Sequence, residues 1–270
     1  MTSAAHRDPL AARWPVRLAW LLVAAYLVYA ASTVDLTFSR LSDGLGHAAR
    51  LLARMLPPDF TRWELLKTGL LESLEMAVLA SFLGVVLSLP VGIAAARNLM
   101  PPWVTWPARA LIAAARSLHP VIVAILFVKA VGFGALPGIL ALALASVGFV
   151  GKLFAEAIEE VSPRQVEAIR ATGAPFASVV SYAVMPQVFS RFVGLATYQL
   201  DSNLRNSTMV GIVGAGGIGA TLFAAFQRLD YDFVCAILLS IIALIALGEL
   251  LAMQVRRIFA GDAASRAAGD

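Results

Sequence analysis

Long uncharged apolar runs separated by short polar stretches dominate this chain. Leu18 to Val34, Met76 to Ala96, Ala130 to Gly151 and Phe233 to Gly248 contain no Asp, Glu, Lys or Arg. Two further runs are less clean: Ser117 to Val131 holds His119 and Lys129, and Phe192 to about Val213 holds Asp201 and Arg205. A bilayer core about 30 Å thick needs roughly 20 apolar residues per helix. The pattern therefore predicts an all-α membrane protein with about six transmembrane helices.

One stretch breaks the apolar rhythm. Between Glu156 and Pro186, Ser162 followed by Pro163, with Gln165 three residues after the serine, reads as a helix start: the hydroxyl can accept an orphan amide, and proline suits the first helical position. That helix is expected to run to Thr172 and to stop at Gly173 in a left-handed cap. Pro175 then starts a second helix expected to end near Pro186. The first of these carries Val161, Ala168 and Ile169 among Glu159, Glu160, Arg164, Glu167 and Arg170, an amphipathic, charged pattern suited to a protein surface.

Composition supports the membrane reading and charge orients it. Of the 270 residues 60% are hydrophobic and 14% charged, with mean hydropathy +0.80. With the N-terminus inside, the cytoplasmic face receives Arg7, Arg13 and Arg17, then Arg97, Arg109 and Arg116, then Lys152, Arg164, Arg170 and Arg191, and finally Arg256, Arg257 and Arg266. This is the distribution that the preference of Lys and Arg for cytoplasmic loops requires. The connection around Gly132 to Gly138 has no positive charge, and the one after Gly219 sets Arg228 against Asp230 and Asp232. Asp35 to Lys67 is the exception, a long basic and acidic segment on the opposite side. Six spans place both termini inside. The net charge of +4 then reflects topology and lipid headgroups rather than nucleic acid. The first run has a signal-like flank and small residues at Ala30, Ala31 and Ser32, but its length and the spans that follow favour an uncleaved anchor. Cys235 is the only cysteine, and its apolar setting reads as a buried small hydrophobe.

The polar run Asp201, Asn203, Arg205, Asn206, Ser207 and Thr208 falls inside a segment expected in the membrane. An ionised side chain at a helix centre costs about 2.5–3.5 kcal/mol on insertion scales, so such residues face a bundle interior or an aqueous path. Asp201 and Arg205 are four apart and can pair. One reading is an internal ion pair that holds the bundle together. The other is a translocation path, in which Arg205 offers charge to an anion and Asn203, Asn206 and Ser207 offer hydrogen bonds. Downstream, Gly214, Gly216, Gly217 and Gly219 match a dinucleotide-binding glycine pattern, with Asp230 and Asp232 beyond. The flanking helix-length apolar spans lack the alternating strands that such a site needs. A tight non-helical turn leading to a short helix from Ala220 is the reading adopted. Pro120 and Arg116 explain the start of the third span without a functional role for His119. Gly132, Gly134, Pro137 and Gly138 read as a short outer turn. No Gly-x-x-x-x-Gly-Lys-Ser/Thr is present, so the chain has no P-loop for ATP. The three histidines, His6, His47 and His119, are dispersed and there is no cysteine pair, so no metal site is expected.

Three segments carry a family resemblance: Glu167 to Ala174 (EAIRATGA), Tyr198 to Ser207 (YQLDSNLRNS) and Met209 to Gly219 (MVGIVGAGGIG). With Met185-Pro186, the first resembles the EAA loop of ABC importer membrane subunits, with Ile169 in place of the third-position alanine and Met185 in place of leucine. The whole is similar to the phosphonate transport permease family from about Leu70 to Arg257. The resemblance implies a type I ABC importer permease fold, both termini inside, in the bacterial plasma (inner) membrane. Residues 1–69 would form an N-terminal tail, first span and outer connection, 70–257 the core with a coupling loop at 156–188, and 258–270 a cytoplasmic tail. It implies coupling to an ATPase through Glu159, Glu160, Arg164, Glu167, Ala168, Arg170, Gly173 and Pro186, and an outer gate at Gly214, Gly216, Gly217 and Gly219. The turn's exposed amides could also meet a phosphonate anion.

The implied partners are a cytosolic ATP-binding subunit dimer, a periplasmic or lipid-anchored phosphonate-binding protein, membrane lipid, and a second copy of the chain, since one copy has too few helices to enclose a polar path. ATP and Mg²⁺ would be bound by the ATPase; no cofactor and no catalysis are expected in this chain. Phosphate or phosphite import through the same architecture is a rival, and a gradient-driven anion channel or carrier is the competing class.

Overall fold

The computed structural model describes residues 14–33 and 37–267, and among these there is no strand. The helices are α1 (Trp14–Thr33), α2 (Phe38–Arg54), α3 (Trp63–Ala95), α4 (Pro102–Ser117), α5 (Pro120–Val131), α6 (Ala135–Glu159), α7 (Pro163–Ala171), α8 (Phe176–Ser178), α9 (Met185–Val210), α10 (Gly217–Gln227) and α11 (Tyr231–Ala267). Two compact units result, Met1–Arg54 and Met55–Asp270. Within the second unit Met55 and Leu66 pack with Ile218, Phe233 and Ile237. Arg7, Arg13 and His6 lie outside the described residues, as do the side chains of Arg256, Arg257 and Arg266. α11 continues to Ala267.

Among the described residues five helices are long and apolar enough to cross a membrane: Val16–Thr33, Trp63–Ala95, Ala135–Glu159, Phe176–Ala215 and Tyr231–Gln254. α4 and α5 are long and apolar enough only as a pair, and that pair is bent by 92° at its break, the form of a broken span or a re-entrant loop. Sequence treated Ser117 to Val131 as one simple span. The bend sits at Leu118 and His119, both in extended conformation, because a residue before proline is pushed out of the helical region and Pro120 supplies no N–H. His119 is the N-cap of α5, its Nδ1 accepting from the Val121 amide at 3.3 Å, which gives it the structural role expected.

The seam of the second unit is α3 against α6. Ser73, Ala77, Ala80, Ser81, Gly84, Ser88 and Gly92 form a buried small-residue stripe along α3. A Cβ at Gly84 would fall 2.3 Å from Ser146 Cβ, and one at Gly92 would fall 2.6 Å from the Phe154 ring. Small residues let backbones approach closely, which is how membrane helices gain packing energy without a hydrophobic drive.

The helix expected to stop near Pro186 does not stop. The helix continues through a π-helical turn at Val179–Val184 to Val210 and then breaks at a kink where Val213 and Gly214 leave helical φ/ψ. Pro186 has no N–H to donate and its ring would strike a carbonyl four residues back. The widened turn accommodates this, with the Met185 amide reaching Val180 O instead.

Candidate coupling loop, polar span and glycine turn

At one end of the bundle α6 hands the chain to α7. Ser162 is the N-cap residue of α7, but its hydroxyl caps nothing. Its backbone amide is met from outside by Gln187 Oε1 at 3.2 Å, while Gln187 Nε2 donates to Ala183 O at 2.6 Å. The expected box with Gln165 is thus replaced by a long-range clamp from α9. α7 ends at Ala171, and Gly173 adopts φ +76° with its amide donating to Arg170 O at 3.0 Å. The left-handed cap is where the sequence put it. Val161 and Val166 are buried against Phe154, Ile158, Val179, Val184 and Val188, with Ile169 partly buried beside them. Val166 was not anticipated, and Ala168 is exposed rather than packed.

The charged residues of the loop divide by what they touch. Glu159 Oε1 accepts from the Arg97 amide and from Arg109 Nη2, each at 2.7 Å. Glu160 pairs with Arg191. Both acids tie the loop to the bundle. Arg164, Glu167, Ala168, Arg170 and Gly173, by contrast, are exposed, and so is Pro186. They leave a charged surface with alternating sign that another protein could read.

Along α9 the polar run also divides. Asn203 is wholly buried. Its Nδ2 donates to Ser81 Oγ and Ser146 Oγ, both at 2.9 Å, and its Oδ1 accepts from Gln199 Nε2 at 3.0 Å. Gln199 Nε2 also reaches Ser146 Oγ at 2.9 Å, and that hydroxyl donates to Leu142 O. Asn203 therefore belongs to a closed polar knot joining α3, α6 and α9. Ser207 is buried as well and spends its hydroxyl on Leu204 O at 2.8 Å. The opposite face carries Arg205, half exposed and paired with Asp201, beside exposed Tyr198 and Met209. Asp201 Oδ1 is buried without a hydrogen-bond partner. Asn206 and Thr208 are partly buried, Asn206 Nδ2 lying 3.4 Å from Ser202 Oγ. Sequence reading missed Gln199, Ser81 and Ser146. The i, i+4 spacing of Gln199 and Asn203 was the available signal.

At the other end of α9 the glycines make the expected turn. Gly214, Gly216 and Gly217 have φ of +96°, +79° and +70°, which only glycine adopts freely. Gly219 is helical, since α10 starts at Gly217 rather than Ala220; a Cβ there would stand 2.0 Å from Thr208 O. The Ile218 amide donates to Ser73 Oγ at 2.9 Å, and the Gly134 amide to Gly214 O at 3.2 Å, so α3 and the α5–α6 turn both hold it. A Cβ on Gly216 would fall 2.5 Å from Glu72 Oε1 and 3.1 Å from the Ala135 amide nitrogen. A carboxylate of the chain thus already stands at the starts of α6 and α10, where helix dipoles favour negative charge.

Between α3, α4 and α6 opens a cleft of about 470 Å³ lined by Arg109, Ile112, Arg116, Lys152 and Glu156. None of the polar α9 residues lines it.

Comparison with known proteins places these features in context. The family described as binding-protein-dependent transport system inner membrane component matches residues 88–263. The chain is 46% identical to a phosphite transport system permease protein of Stutzerimonas stutzeri, over 81% of this chain and 80% of that one. It is 41% identical to a phosphate-import permease protein of Mycolicibacterium smegmatis over 86% of its length, but spans only 44% of that relative. A putative cryptic phosphonate transport system permease protein of Escherichia coli is 40% identical over 44% of this chain and 98% of its own. The fold is similar to that of an inward-facing methionine ABC transporter, with a TM-score of 0.65 at 24% identity, covering 74% of this chain and 99% of that one.

Proposed function

This chain belongs to the binding-protein-dependent transport system inner membrane components, as a multi-pass permease subunit of an ABC importer in the bacterial inner membrane, and on that premise we propose that two copies form a path for a phosphonate. The observation that carries this is the face of α9 bearing Arg205: a half-exposed guanidinium on a membrane span, with Tyr198 and Met209 exposed beside it. A second copy on that face would enclose a cationic lining, and a phosphorus oxyanion is the cargo such a lining suits. Phosphite is the second reading, favoured by the 46% identity to a protein named for it.

The exposed surface of Arg164, Glu167, Ala168, Arg170 and Gly173 is the docking site for a cytosolic ATPase dimer, which binds ATP and Mg²⁺ and does the hydrolysis. A periplasmic or lipid-anchored binding protein delivers cargo at the glycine-turn end. Glu159 and Glu160 transmit from the loop to α3, α4 and α9 through Arg97, Arg109 and Arg191. The carboxylate of Glu72 makes the glycine turn a poor anion site, so its role is closure rather than binding.

The test is uptake of a labelled alkylphosphonate by cells lacking this chain and complemented with it, with excess phosphate and excess phosphite as competitors. Rescue that survives both competitors supports phosphonate, and abolition by one of them reassigns the cargo to it. A Gly173→Pro variant, matched for membrane abundance, should abolish rescue. Rescue that persists in it would overturn coupling through the loop.

A further inference from the structure

Between two membrane spans the chain carries a helix that neither span resembles. In α2, Leu41, Leu45, Ala48, Ala49 and Leu52 recur at three- and four-residue spacing and share one face. Asp43, His47, Arg50 and Arg54 fall on the other, with Arg40 at its edge. Leu41, Leu45 and Leu52 are 64%, 67% and 61% exposed, far more than a water-facing helix tolerates along a continuous stripe.

Chain length says what covers that stripe. Only residues 34–37 separate α1 from α2, and residues 55–62 separate α2 from α3. At about 3.5 Å per residue these tethers reach at most roughly 14 Å and 28 Å, so the covalent chain keeps α2 within reach of the surface from which α3 enters the membrane. Which surface follows from α3: Arg97, just past its far end, donates its amide to Glu159 beside the coupling loop. The Trp63 end of this 33-residue helix, about 50 Å away, is on the opposite side. Three arginines against one aspartate give α2 a positive polar face.

We propose that α2 lies flat in the outer interface of the bilayer, its leucine face in the acyl boundary and its arginines among anionic phospholipid headgroups. A basic amphipathic helix of low net hydrophobicity has that preference, and each arginine near an anionic surface strengthens it.

The experiment is a nitroxide scan in the assembled importer, in nanodiscs of phosphatidylcholine with or without phosphatidylglycerol and in a Cys235→Ala background with retained ATP-dependent uptake. Labels go at Leu41→Cys, Leu45→Cys, Ala48→Cys, Asp43→Cys, His47→Cys and Arg50→Cys. Collision with oxygen, which concentrates in lipid, should exceed collision with a water-soluble nickel chelate several-fold at positions 41, 45 and 48, and the order should invert at 43, 47 and 50. Omitting phosphatidylglycerol should bring positions 41, 45 and 48 closer to water. Uniform access to the nickel chelate would overturn the proposal by placing α2 in solvent. Shielding of 41, 45 and 48 from both reagents would overturn it in favour of a protein cover, and insensitivity to phosphatidylglycerol would remove the anionic headgroup from it.

Discussion

Asn203 Nδ2 lies 2.9 Å from Ser146 Oγ across the contact between α9 and α6, and the same oxygen accepts from Gln199 one turn earlier. With Ser81 on α3, these side chains satisfy one another inside a wholly buried site. Asn203→Leu would leave Ser81, Ser146 and Gln199 short of partners, a loss of about 1–3 kcal/mol. We expect a lower thermal midpoint in detergent. Combining it with Gln199→Leu, Ser81→Ala and Ser146→Ala should recover part of that loss, because removing all partners leaves no orphan.

Gly173 holds φ +76° in open space, with nothing within 4 Å of where a Cβ would be. A substitution there meets backbone strain alone, about 1–2 kcal/mol for an ordinary residue and less for asparagine. Uptake by variants of equal membrane abundance should fall in the order Gly173, Gly173→Asn, Gly173→Val.

Arg109 and Glu159 meet at 2.7 Å with both side chains about two-thirds covered. A double-mutant cycle with Arg109→Ala and Glu159→Ala should give a coupling of about 0.5–1.5 kcal/mol in unfolding measurements. Glu159→Gln should keep the bond to the Arg97 amide and lose less than Glu159→Ala.

Gly219 and Gly194 predict opposite responses to the same change. A Cβ at Gly219 meets the backbone oxygen of Thr208 at 2.0 Å, whereas one at Gly194 meets nothing within 4 Å. Gly219→Ala should therefore cut the yield of folded protein. Gly194→Ala should be neutral or stabilising by roughly 0.5–1 kcal/mol, the helix preference of alanine over glycine.

Asp201 and Arg205 offer a way to separate holding from conducting. Arg205→Gln alone leaves a mostly covered carboxylate without its cation, so folding and uptake should both fall. Asp201→Asn with Arg205→Gln should restore folding, read as detergent-stable protein. Uptake should stay low if the guanidinium meets the anion, and recovery of uptake would assign the pair to packing.

Much of this was readable from residues alone. Uncharged runs located the spans, because a bilayer tolerates little else, and Gly173 announced its cap because only a few residues accept a positive φ. The glycine turn after α9 was legible for the same reason. Other features were hidden because their cause is long-range. Ser162 looked like a helix cap, yet its amide is satisfied by Gln187, a partner 25 residues away. Pro186 looked like a stop, and only the π turn before it shows how the helix passes. The α9 polar run looked like one surface, whereas a 100° turn per residue sends Asn203 and Ser207 inward and Arg205 outward. Sequence spacing contained that last division, and the inward set became visible once Ser81 and Ser146 stood opposite.

From Phe176 to Val210 the chain is helical throughout, about 50 Å at 1.5 Å per residue. Its two π turns sit at its extremities, beside the coupling loop and beside the glycine turn. A rod without an internal hinge has no slack to take up. A push delivered at Met185 is expected to travel along continuous α-helix as far as Val210, which leaves the two π turns as the joints where the rod can give.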